Sequence, residues 1–193
     1  DCGNASTAVQ TITVVDTTDP SMDTDASDLT VECDGAGNTA TLLNWLNNNG
    51  GAVASDNCGG VTWTHNYGGL SNDCGATGSA TVTFTAADEC GLINTTSATF
   101  TIEDTTIPSI DTAASDSTVE CDGTADPAGA FAAWLANNGG AVASDNCGSV
   151  TWSNSSTGLS DLCGATGTET VTFTATDECG LINTTSATFT IED

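Results

Sequence analysis

The stretch Glu89-Cys-Gly-Leu-Ile-Asn-Thr-Thr-Ser-Ala-Thr-Phe-Thr-Ile-Glu-Asp104 recurs without a change as Glu178 to Asp193. A diverged copy, Asp1-Cys-Gly-Asn-Ala-Ser-Thr-Ala-Val-Gln-Thr-Ile-Thr-Val-Val-Asp16, opens the chain. Cys2 and Cys90 are 88 residues apart, Cys90 and Cys179 89. A fixed period of this kind marks a tandem array. It divides the 193 residues into a segment 1–16, a repeat 17–104 and a repeat 105–193. Ile12 and Val14 alternate with Thr11 and Thr13, so 1–16 reads as the last strand of a preceding repeat, or as a strand donated to another subunit.

Outward from the quoted stretch, Ala98, Phe100 and Ile102 alternate with polar residues, the period of a half-buried strand. Ala80 to Ala87 does the same through Val82, Phe84 and Ala86, and Leu29, Val31 and Cys33 mark a third strand. Ala52 to Ser55 and the surroundings of Val61 and Trp63 read as short extended pieces. Between them Leu42, Trp45 and Leu46 have helical spacing, and Asn47-Asn-Asn-Gly-Gly51 stops that helix. In the second repeat Asp126 is the expected N-cap and Pro127 the first helical position, ahead of Phe131, Trp134 and Leu135. Trp45, Trp63, Trp134 and Trp152 are expected in the core. About seven short extended pieces per repeat, separated by turn signals, predict an all-β fold. It consists of tandem immunoglobulin-like β-sandwiches, each with one short helical insert. Asp16-Thr-Thr-Asp-Pro20 and Asp104-Thr-Thr-Ile-Pro108 mark the joints, and a proline stiffens each.

Each full repeat is near the size at which a core alone is marginal, and each carries four cysteines. Such even sets in small units predict disulfides formed outside a reducing cytosol. With no leader-like segment and no apolar run long enough for a membrane span, the chain is expected to be a mature, secreted, extracellular segment. It has no Lys or Arg against 26 Asp plus Glu. That surface repels nucleic-acid phosphates and anionic lipid, attracts cations and offers trypsin-like proteases no site.

The strings Thr30-Val-Glu-Cys-Asp34, Ala54-Ser-Asp-Asn-Cys-Gly59, Thr81-Val-Thr-Phe-Thr-Ala-Ala-Asp-Glu-Cys-Gly91 and Thr99-Phe-Thr-Ile-Glu-Asp-Thr-Thr106 resemble the HYR-like, immunoglobulin-type repeats. Those repeats occur in very large secreted surface proteins of Bacteroidetes-type bacteria, often linked to gliding or adhesion. The resemblance covers both full repeats and the opening segment. The usual Asp-Cys-Gly-Asn turn survives only at Asp1 to Asn4, and the later copies read Glu-Cys-Gly-Leu.

An immunoglobulin-like strand order places Cys33 and Cys74 at one pole of the first repeat and Cys58 and Cys90 at the other. The strand between Cys74 and Cys90 spans about 25 Å, too far for a bridge between them. The expected pairs are therefore Cys33–Cys74, Cys58–Cys90, Cys121–Cys163 and Cys147–Cys179, with Cys2 bonded to a preceding repeat. Linkage of chains through Cys2 is the alternative.

The same order gathers acids at one pole: Asp56, Asp88 and Glu89 with Asp16 and Asp19 from the joint, then Asp145, Asp177 and Glu178 with Asp104. Oxygen ligands without a competing cation suit Ca2+, although no EF-hand loop is present. The alternative is that these aspartates cap turns through their own backbone. Sugar acceptors are expected at Asn4, Asn94, Asn154 and Asn183, which head Asn-x-Ser/Thr triplets. Thr17, Thr105, Thr112 and Ser117 stand in triplets similar to an O-glycosylation motif of Bacteroidetes secreted proteins, which would make the chain a glycoprotein.

Catalysis is not expected. His65 is the only histidine, and Asn154 stands at its place in the second repeat, so no general base recurs. The functional expectation is a structural repeat unit of an extracellular filament, fibre or stalk on a bacterial surface, with neighbouring identical repeats or subunits as partners. The alternative is an adhesin or carbohydrate-binding array using the loops Asn66 to Asp73 and Asn154 to Asp161.

Overall fold

The structure, a computed structural model, describes residues 2–3, 5–160 and 165–193. The described residues form two compact units. The first takes in Asp1–Ser27, Trp45–Tyr67 and Thr81–Ala98; the second takes in Asp28–Asn44, Gly68–Ala80 and Thr99–Asp193. The stretches of the first repeat that hold Cys33 and Cys74 therefore belong to the unit that holds the second repeat.

Both repeats fold to one pattern. In the first, β1 (Ser21–Thr24) pairs with β3 (Val53–Ser55), and β2 (Leu29–Glu32), β4 (Thr62–His65), β5 (Gly78–Ala87) and β6 (Ile93–Glu103) form a sheet ordered β2-β6-β5-β4. In the second, β7 (Ser109–Thr112) pairs with β9 (Val142–Ser144). There β8 (Ser117–Glu120), β10 (Thr151–Asn154), β11 (Gly167–Thr176) and β12 (Ile182–Glu192) form a sheet ordered β10-β11-β12-β8. The short first strand and the third strand make the small sheet, and the alternation along the long strands sets the buried face of the large one. Val82, Phe84 and Ala86 are buried on β5, and Ala98, Phe100 and Ile102 on β6; Val171, Phe173, Ala175, Ala187, Phe189 and Ile191 repeat the set. β2 runs parallel to β6, and β8 parallel to β12.

The helical inserts are α1 (Thr39–Asn47) and α2 (Ala130–Ala136). Trp45 meets Phe84 edge-on at 5.3 Å and donates its indole N–H to the Ser27 carbonyl; Trp134 does the same with Phe173 and Ser115. Trp45 is buried, whereas Trp63, Trp134 and Trp152 are half-buried. Asp126 acts later than the sequence suggests. A 3-10 turn, Pro127–Gly129, comes first, and the Asp126 carboxylate then accepts from the N–H groups of Phe131 and Ala132, in the first turn of α2.

Residues 5–15 have no regular secondary structure, and Val9, Ile12, Val14 and Val15 are 94, 80, 88 and 70% exposed. An alternating segment becomes a strand only where a neighbour accepts its backbone. In the two repeats the equivalent position is filled by β6 and by β12. Among the described residues no helix is long and apolar enough to cross a membrane.

Candidate functional site at a doubly bridged joint

The cysteines pair across the repeat boundary. Cys33 is bonded to Cys147 and Cys74 to Cys179, over sequence separations of 114 and 105, with Cα atoms 5.7 and 5.0 Å apart. This corrects the expected Cys33–Cys74 and Cys147–Cys179 pairs. It also removes Cys58–Cys90, because Cys58 and Cys90 are free, as are Cys2 and Cys121; the expected Cys121–Cys163 pair rests on Cys163. Cys163 lies outside the described residues. The grouping of Cys33 with Cys74, and of Cys147 with Cys179, survives. What fails is the assumption that each repeat closes on itself. All four bonded cysteines lie in the second unit.

Local chemistry explains the pairing. The Asn146 side-chain amide donates to the Cys33 carbonyl at 2.6 Å, and the Ala76 N–H donates to the Cys147 carbonyl at 3.0 Å. Gly35 and Gly75, at φ +72° and +56°, press against the Asn146 and Cys147 carbonyl oxygens, where any Cβ would collide. The turn at Asp145-Asn-Cys147 thus sits on bare backbone, close enough for sulfur to reach sulfur.

A glutamate fastens the connecting segment. Glu32 accepts from the Thr105 N–H and hydroxyl and from the Thr106 hydroxyl, at 2.9, 2.7 and 2.8 Å. These bonds hold its carboxyl below the usual range, the Thr105 N–H contributing most. Glu178 accepts from the Ser149 hydroxyl and N–H, which lower its pKa in the same way.

The aspartates cap turns, the alternative reading of the sequence, and leave one oxygen each over. One oxygen of each caps a turn: Asp104 Oδ1 accepts from Thr106, Asp145 Oδ1 from Cys147, and Asp177 Oδ1 from Cys179 and Leu181. The second oxygen of each is buried without a hydrogen-bond partner. In the first unit Asp56 and Asp88 repeat this, with Oδ1 on Cys58 and Cys90 and Oδ2 unpartnered. Carboxylate oxygens of Asp104 and Asp145 lie within 4.8 Å of one another, as do those of Asp16 and Asp56. Burial, and then the charges of Asp145, Asp177 and Glu32, push the Asp104 carboxyl up against the pull of the Thr106 N–H. Asp177 is 6% exposed and Asp88 8%. Asp19 stays exposed beside Thr18 and Asp56, and its counterpart in the second repeat is Ile107, so it does not belong to the recurring set.

Buried anionic oxygens need a positive partner or a proton. This chain has no Lys or Arg to supply one. Hard oxygen donors fit Ca2+, and Cys147, held in its disulfide, offers no thiolate to a softer metal. The donor set therefore fits the cation the sequence suggested.

Of the sugar acceptors, Thr17, Thr112 and Asn154 are exposed and Ser117 is half-buried on β8. The Thr105 hydroxyl is engaged by Glu32. Asn94 and Asn183 donate their amide N–H to the carbonyls of Pro20 and Pro108, tying β6 and β12 to the joint prolines. Asn4 lies outside the described residues. In the loop Asn154 to Asp161, Glu169 pins residues 156–158 by accepting from Ser156, Thr157 and Gly158. Asn66 accepts from the Thr83 N–H.

No protein-family model and no curated protein matches the chain. Among solved structures, it is similar to Drosophila N-cadherin EC1-4 at 10% identity and TM-score 0.35, covering 91% of this chain and 50% of that one. It is also similar to the human desmocollin-1 ectodomain (10%, TM-score 0.32, 91% and 42% covered) and to mouse cadherin-23 EC22-24 (11%, 0.34, 91% and 67%). The chain spans half or less of the first two.

Proposed function

We propose that the chain is a load-bearing segment of an extracellular filament or stalk, built from sandwiches that are covalently stapled to one another. The observation that carries this reading is the pair of bridges Cys33–Cys147 and Cys74–Cys179, which join consecutive repeats instead of closing either one. Bridges of this kind belong to an oxidising compartment. Tension applied along the chain passes from Cys33 to Cys147 through sulfur, bypassing the sheets of the intervening residues. Ca2+ held by Asp104, Asp145 and Asp177 would neutralise the like charges beside the same joint and stiffen it.

Pulling single molecules by their termini tests this. With the bridges intact, the chain between Cys33 and Cys147, a sequence separation of 114, stays hidden, about 400 Å of contour at some 3.4 Å per residue. Reduction should release that length under load. Equal extension with and without reductant would overturn the load-bearing reading.

A further inference from the structure

The bridge Cys33–Cys147 and the acid pair Asp104–Asp145 fasten the same two stretches of backbone. The Cys33 N–H donates to the Glu103 carbonyl at 2.8 Å, so Asp104 follows directly on the residue that holds the first cysteine. Asp145 stands two residues before the second cysteine, and its Oδ1 accepts the Cys147 N–H at 2.7 Å. Carboxylate oxygens of Asp104 and Asp145 and the Cys147 sulfur all lie within 4.8 Å of one another. A third acid enters from the turn after β11. Asp177 is 6% exposed, its Oδ2 has no hydrogen-bond partner, and its charge acts on Asp104 together with that of Asp145. All these residues belong to the second unit.

Like charges this close repel, and burial of one oxygen of each keeps water from screening them. The repulsion pushes apart the two stretches that the sulfurs must bring together. Neither stretch can swing its acid away freely, because Glu32 grips Thr105 and Thr106, and the Asn146 amide donates to the Cys33 carbonyl. The chain has no Lys or Arg to offset the charge. A divalent cation drawing on oxygens from both stretches turns that repulsion into a restraint, and the restraint acts across the same boundary as the bridge.

We propose that occupancy of the Asp104–Asp145–Asp177 cluster by a divalent cation governs the Cys33–Cys147 bridge, making it form more readily and resist reduction. The inference rests on the reading of the joint as a cation site and adds what the cation regulates. The relation is reciprocal. The bridged joint binds the cation more tightly by the same factor by which the cation favours the bridge. Glutathione disulfide is the oxidant: the two protein thiols give up two protons and two electrons, its S–S bond breaks, and two glutathione thiols leave.

The test is a redox titration of the whole chain in glutathione buffers at fixed pH and matched ionic strength, in excess Ca2+ and in chelator. After quenching and alkylation, chymotryptic peptides report the fraction of Cys33 joined to Cys147. Ca2+ should move the equilibrium toward the bridge about tenfold, a displacement of about 30 mV. Asp104→Asn should lose that response and, in chelator, keep the bridge better than wild type, since one repelling charge is gone. Asp111→Asn, which removes an exposed charge on β7 outside the cluster, should keep the wild-type response. Should Asp104→Asn fail to fold, the wild-type titration decides alone.

Equal equilibria in Ca2+ and chelator, with Ca2+ binding visible by calorimetry, overturn the inference and leave the cation reading standing. A full Ca2+ response in folded Asp104→Asn also overturns it. Absence of Ca2+ binding removes the inference and the cation together, while a bridge that still forms leaves the load-bearing reading intact. Absence of the bridge in both conditions removes the load-bearing reading as well.

Discussion

The side-chain amide of Asn146 donates to the carbonyl of Cys33, a residue 113 positions earlier whose sulfur is bonded to the neighbour of Asn146. One turn thus makes a hydrogen bond and a covalent bond to the same strand end. The hydrogen bond selects the orientation in which the two sulfurs meet. Asn146→Ala should cost about 1 kcal/mol in chemical denaturation, the usual worth of such a bond. Asn57→Ala, at the turn with no bonded partner, should cost far less in the monomer. Equal effects would show that the amide contributes nothing particular to the bonded joint.

The bridges should dominate the stability of the second unit. Closing a loop of this size is worth about 4–5 kcal/mol in the chain-entropy account. Cys33→Ser with Cys147→Ser should therefore lower the denaturation midpoint of the second unit strongly. Cys58→Ser with Cys90→Ser, which removes two free thiols, should leave the monomer close to wild type. Calorimetry under non-reducing conditions checks both.

The unpartnered aspartate oxygens predict a response to divalent cation. Ca2+ at a hundredfold excess over its dissociation constant should raise stability by about 2.7 kcal/mol. Mg2+ should do less, since it requires a tighter octahedral shell. Asp104→Asn gives an opposite-sign check. In chelator it should be neutral or stabilising, because it relieves repulsion from Asp145 and Asp177. In Ca2+ it should be destabilising. A melting temperature indifferent to both chelator and Ca2+ would remove the cation from the joint.

The acids divide by sign in their pH dependence. The Asp104 carboxyl is raised, so the folded state holds its proton more tightly than the unfolded chain does. Its contribution to stability is present below the usual value of 3.8 and is lost as pH rises through the folded value. Glu32 and Glu178 are lowered, so their contribution is present above 4.5 and is lost as pH falls through their folded values. In chelator, Asp104→Asn should flatten the decline in stability on the rising side. Glu32→Gln should flatten the loss on the acid side. Melting curves across the acid range measure both slopes.

The strands, the helical inserts and the capping aspartates were legible because each rests on local periodicity. Val82, Phe84 and Ala86 alternate whichever residues lie opposite them, and Asp56 binds the N–H of Cys58 two residues on. β1 and β7, four residues each, were too short to show a period. The disulfide partners were not legible for a different reason. Two strings with the same sequence, around Cys58 and around Cys147, have different fates, so no reading of either string could assign its partner. One signal was available: nine cysteines in a periodic chain need not close within the period. Residues 5–15 carry the alternation of a strand without regular secondary structure, because pattern supplies a face and not a neighbour.

The offset of the bridges also bears on how such a chain can change length over generations. The first repeat offers two sulfurs forward and the second accepts them; in an array that kept this offset, each interior repeat would do both. Adding or deleting one whole repeat therefore leaves every interior sulfur with a mate, whereas adding or deleting part of one strands a thiol. Gene duplication in units of the period is then chemically silent, and the number of repeats can drift without any repeat being redesigned.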